Sequence, residues 1–252
     1  MRTQPTPRFN LAAAGLAASA FLFAPPANAA DKRVAKKPAR LTAAQMMARA
    51  HKARAEWKGL PGFTADVAVS RDNKRVKGRV SVAAGGKLTL TLDDKAESKW
   101  VTSNLRSLIS HRRASSGRSY DVEFADKETK HPLGRLIKLN EDLMGSEYRI
   151  RGDVITEVHR KMGGIRFTIS VTAVARNKEG KYLPRSYSFS TWDVKTGNLK
   201  SNTTVLNTWK RVGTFDLPNR LLWVTTRDGG KREVRQIVFR NHRLGPAKTA
   251  AE

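Results

Sequence analysis

Cysteine is absent from the 252 residues. That excludes disulfides, thiolate metal sites, a thiolate nucleophile and a Cys-acylated lipoprotein anchor. Other chemistry is missing as well. The five histidines, His51, His111, His131, His159 and His242, are scattered with no H-E-x-x-H spacing, so no metal site is expected. No G-x-S-x-G elbow, phosphate-binding G-x-x-x-x-G-K-[ST] loop or G-x-G-x-x-G fingerprint occurs, and no nucleotide or other cofactor is expected. Long apolar runs are also scarce. Leu11 to Ala24 (LAAAGLAASAFLFA) is the one extended run, and it stops at Pro25-Pro26, short of the roughly 20 residues that a spanning helix needs.

What surrounds that run is a secretory leader. Arg2 and Arg8 charge the start, and Ala27-Asn28-Ala29 supplies the small residues of a cleavage site. The expectation is an exported protein, periplasmic or extracellular, cleaved near Ala29. Residues 30–40 then form a flexible basic segment, 41–243 a single domain and 244–252 a flexible tail.

Acidic residues are few, 22 against 48 Lys and Arg, for a formal net charge of +26. The leader holds only two of those cations. Such an excess attracts an anionic envelope polymer or a membrane surface non-specifically. The basic residues are spread along the whole chain and are not interleaved with stacking aromatics, so no specific nucleic-acid recognition is expected.

Thr42 is placed to cap a helix over AAQMMARAHKARAEWK, ending at Gly59, with Met46, Ala50, Ala53 and Trp57 as its apolar stripe. The period then changes to two. Phe63, Ala65, Val67 and Val69 alternate with polar or small neighbours, and Val76 to Val82 and Leu88 to Leu92 repeat the pattern. RDNK (71–74) and AGGK (84–87) between them are hairpin chemistry. A second helix is expected over Asp94 to Arg112, with Trp100, Val101, Leu105, Leu108 and Ile109 inward. Nine further strands follow from Tyr120 to Phe239, joined by RGD, KMGG, NKEG, KTGN and RDGG. The fold class is therefore α+β, a strongly curved antiparallel sheet packed by two helices.

PGFTADV (61–67), KGRVSV (77–82), KWVTSNLRSLISHRR (99–113), EVHRKMGGIRFTI (157–169) and DVKTGNLKSNTT (193–204) together resemble a bacterial exported family known only as a domain of unknown function. The likeness covers roughly Leu41 to Thr226 and brings no assigned activity. More distantly, the order of elements resembles the periplasmic lipoprotein carriers, in which an incomplete barrel holds acyl chains under helical lids. That resemblance implies an apolar or lipid-like ligand in the concavity. The inward positions Phe63, Val67, Val80, Leu90, Trp100 and Phe167 are then the pocket candidates. Two readings of the five tryptophans stay open, core packing and cavity lining.

Glu157 and His159 share a strand face at i and i+2 and could orient each other in acid or base work. Without a nucleophile or oxyanion donors beside them, an ion pair with Arg160 or Lys161 on a solvated face is the better reading. The chain is expected not to be an enzyme. Arg151-Gly152-Asp153 reads as a turn rather than an adhesion motif, and Asn202-Thr203-Thr204 as strand rather than a glycan acceptor. The sequence is silent on oligomeric state.

Overall fold

The computed structural model describes residues 40–113 and 121–245. The expected leader and its cleavage site, residues 30–39 of the expected basic segment, the expected strand start Tyr120 and residues 246–252 lie outside the described residues.

Helix α1, Ala43–Lys52, starts where Thr42 and Gln45 form a reciprocal capping box. The strands are β1 Gly62–Arg71, β2 Lys74–Ala83 and β3 Leu88–Leu92. Helix α2, Lys95–Arg112, follows, its N-terminus capped by the Asp94 carboxylate accepting from the Glu97 amide at 2.9 Å. The remaining strands run in sequence: β4 Val122–Phe124, β5 Arg135–Leu139, β6 Glu147–Arg151, β7 Val154–Met162 and β8 Ile165–Arg176. After them come β9 Tyr182–Asp193, β10 Leu199–Val212, β11 Phe215–Arg227 and β12 Arg232–Leu244.

All twelve strands pair antiparallel in one sheet, in the order β3-β2-β1-β12-β11 and then down in sequence to β4. The first hairpins thus add to the last strand, where Val67 faces Phe239 and Val69 faces Ile237. β3 and β4 are the free edges, so the sheet does not close.

Directly opposed residues in a sheet share a face. Ile137, Tyr148, Val158, Ile169, Phe189 and Thr203 are opposed in turn from β5 to β10. From β10 the same face continues through Thr225 to Glu233, and one step along through Trp223 to Arg235. Both helices pack on this one face. Ala43, Met47 and Ala50 of α1 meet Ile137, Tyr148 and Ile150. Val101, Leu105 and Ile109 of α2 meet the inward row of β1 and β2, with Leu221 and Ile237. Two cores therefore sit side by side on the concave side.

The first helix is shorter than its periodicity predicts, ending at Lys52. The reason is a competing backbone partner. Ala55 N–H donates to Tyr182 O at 2.9 Å, and Tyr182 N–H to Ala53 O at 2.8 Å. Residues 53–60 therefore leave α1, border β9 and deliver Trp57 and Leu60 to the core beneath α2. The strands fall where the alternation places them, except that β9 and β11 begin earlier, β7 and β10 run on to Met162 and Val212, and β12 reaches Leu244, opposite Phe63. Gly152 sits at φ +63° in the β6–β7 turn, as the turn reading of RGD requires.

Candidate functional site

Helix α2 runs along the concave face, and the sheet curls around it. Between them lies a cavity of about 260 Å³, lined at once by Val158 of β7 and Trp223 of β11. In a flat sheet those strands would stand about 19 Å apart, so the curl is what brings them to one space. Ile155, Ile169, Val171, Trp209 and Leu221 complete the apolar wall, and Leu108 faces it from α2. Trp100 of α2 packs edge-on against Trp223, ring centroids 4.8 Å apart, at the side toward the start of the helix.

One end of the cavity is polar. Arg54, His111, Arg112, Tyr182, Tyr187 and Asn207 converge there. Arg112, the last residue of α2, is 6% exposed. Its Nη1 donates to Ala55 O at 2.8 Å, and its guanidinium lies over the Trp209 ring, 4.9 Å from the centroid. Burial, with Arg54 adding repulsion, lowers its pKa to about 10. His111 sits at the mouth of the concavity and retains exposed surface. Desolvation, then the charges of Arg54, Arg112 and Arg160, lower its pKa. Burial raises the Tyr187 phenol, so both rings are neutral near pH 7. Trp209 and Asn207 side chains both donate to Pro184 O, at 3.1 and 3.4 Å, fixing this end of the wall.

Of the six residues expected to line the pocket, five lie elsewhere on the same face of the sheet and Trp100 lies on α2. Phe63, Val67 and Val80 are fully packed in the core beneath α2, and Leu90 and Trp100 pack partly buried against that core. Phe167 pairs with Phe189 on β8 and β9, centroids 5.4 Å apart, beyond the cavity wall. The period-two pattern places all five strand positions inward but is blind to where a helix covers them. Of the tryptophans, Trp57 is core and Trp209 and Trp223 line the cavity. Arg112 was legible only as the last residue of the expected helix, outside its apolar stripe, and no spacing rule marks it as cavity-facing.

Glu157 and His159 do meet, with His159 Nε2 3.4 Å from Glu157 Oε2. They point to the convex side, opposite to Val158. The cation that pairs with Glu157 is Arg149 of β6, at 3.3 Å, rather than Arg160 or Lys161. Arg160 instead turns inward and donates to the Tyr148 hydroxyl. Ser170 Oγ donates to Glu157 Oε1 at 3.1 Å, and His159 Nδ1 shares a hydrogen bond of 3.0 Å with Thr168 Oγ1. These partners hold the pair in a cross-strand polar network. No cluster of three or more metal-ligating carboxylates and histidines occurs among the described residues.

The model of a protein family described as "Protein of unknown function (DUF3386)" matches residues 39–244. No curated protein matches the sequence. Among solved structures, a LolA superfamily protein from Nitrosomonas europaea is similar at 11% identity and TM-score 0.36, over 81% of this chain and 94% of that one. MucB in complex with MucA(peri) is similar at 10% identity and TM-score 0.19, over 81% and 99%. The MucA/MucB complex of Pseudomonas aeruginosa gives 9% and 0.17 over the same shares.

Proposed function

The chain belongs to the DUF3386 family of proteins of unknown function, and from that premise we propose that it is an exported binding protein that holds an apolar or lipid-like ligand on the concave side of its sheet. The observation that carries this reading is the cavity itself. A wall of Ile, Val, Leu and Trp with a few convergent polar groups at one end is the usual composition of a small-molecule site. A binding role also accounts for the Glu157–His159 pair being occupied by structural partners, away from the cavity. The protein is read as a binding protein or carrier and not as an enzyme.

Native mass spectrometry of protein purified from its own envelope without detergent tests the reading. A bound mass, released on organic extraction, is the expected result. A bare mass from gently prepared protein overturns it.

A second reading rests on charge. The outward face of β2 carries Arg75, Lys77 and Arg79, all exposed, and among the described residues only Arg79 of these has an ion-pair partner, Asp66 at 3.2 Å. With a net charge of +26, such a face would dock on an anionic polymer or membrane surface. Binding to anionic vesicles that falls steeply with salt, while the cavity stays empty, would favour it.

A further inference from the structure

Arg112 is costly where it lies. A buried guanidinium requires a compensating anion or a full set of acceptors. Among the described residues no carboxylate pairs with it. Asp216 stands near enough to act on its charge, but the Asp216 Oδ2 already accepts from Arg211 and Asn177, at 3.0 and 2.8 Å. Arg54, the neighbouring cation, has Glu56 at 3.8 Å. The helix C-terminus and Ala55 O account for part of the Arg112 charge, and the Trp209 face for a little more. Its Nε remains buried with no hydrogen-bond acceptor. Away from the polar end the sheet side of the cavity is apolar, and α2 contributes Leu108, Ser107 and Asn104, whose side-chain amide already donates to Trp100 O at 2.9 Å.

We propose that the ligand is a single-chain amphiphile with a monoanionic carboxylate head, the head paired with Arg112 at the polar end and the chain laid along Val171, Ile169, Trp209 and Trp223. This inference rests on the ligand-binding reading above and adds the ligand's chemical class and orientation. A planar carboxylate can accept from a guanidinium through two parallel hydrogen bonds, and it brings one negative charge to one uncompensated positive one. Tyr187 and His111, at the same end, offer further neutral donors. The volume, about 260 Å³, lies just below the range of ligand cavities, roughly 300–1,000 Å³, which suits one chain better than a diacyl lipid.

The test compares hexadecanoate with hexadecanol, which share a chain and differ in the head. Titrated into the delipidated protein, the acid is expected to bind at least ~10-fold more tightly than the alcohol, the advantage of a charge-assisted pair. In R112M that preference should vanish while the alcohol still binds. Equal affinities in the unaltered protein would overturn the head-group assignment and leave the carrier reading standing. Failure of both probes would overturn the carrier reading itself. Because Arg112 also holds Ala55 O, R112M can lose its fold, and a crystal structure of the hexadecanoate complex of the unaltered protein decides independently. A carboxylate within hydrogen-bond distance of Arg112 is expected, and a head seated at the other end, near Trp100, would overturn the proposal.

Discussion

Phe63 and Trp209 are both large aromatics on the inward face, and their surroundings give them different roles. Phe63 is 2% exposed and meets Trp57 edge-on at 5.7 Å. Phe63→Ala should cost about 3–5 kcal/mol in chemical denaturation and leave the affinity for a bound ligand nearly unchanged. Trp209 borders the cavity and supports Arg112. Trp209→Ala should weaken ligand retention about 10-fold, the scale of one lost large apolar contact, read as occupancy in native mass spectrometry. His51 offers a third residue-level test. Desolvation, then the charge of Arg54, lowers its pKa from 6.5 to about 4. The unfolded chain therefore takes up the proton first as pH falls, so the stability contributed by the neutral ring is complete above pH 6.5 and is lost between about 6.5 and 4. After discounting for solvent screening this is roughly 1–2 kcal/mol. His51→Asn should flatten the thermal-stability profile in that window, and an unchanged slope would count against the assignment.

At the scale of elements, the two helices differ in how they are held. The Asp94 cap satisfies an amide that has no partner within α2 and also pairs with Lys74. Asp94→Ala should lower stability by about 1 kcal/mol, measured by thermal unfolding. Gly134 shows the same dependence on local geometry in the sheet. It has φ +91°, and a Cβ there would stand 2.0 Å from Ile150 O. Gly134→Ala should therefore disturb the pairing of β5 with β6, visible as faster amide exchange of the partners Arg135 and Ile150. The strands and the turns between them were legible because alternation and turn residues mark them locally, whereas the early starts of β9 and β11 and the late end of β12 were not. The end of α1 was not, since Ala53 and Trp57 continue a helical period and only the Tyr182 backbone, remote in sequence, draws them away.

At the scale of the molecule, one inward face carries two cores and, between them, a cavity. The net charge of +26 belongs to this scale too. If the outward basic face docks on anionic surfaces, vesicle binding should drop by an order of magnitude or more as salt rises from about 0.05 to 0.2 M, whereas hexadecanoate affinity in the shielded cavity should change far less. The two measurements separate the surface from the concavity as sites of function.

By itself the sequence determined the α+β class, the antiparallel pairing, the number of the strands and the existence of the two amphipathic helices. Each of these depends on a period or a turn within a short window. It also placed Phe63, Val67, Val80, Leu90 and Phe167 on one face, because side-chain direction follows parity along a strand. Only the tertiary structure decided which part of that face is filled and which is hollow. The cavity forms where α2 spans β7 to β11, strands whose approach depends on the accumulated curl of the whole sheet. The isolation of Arg112 at its end was equally out of reach, since a missing counter-charge is a fact about neighbours in space.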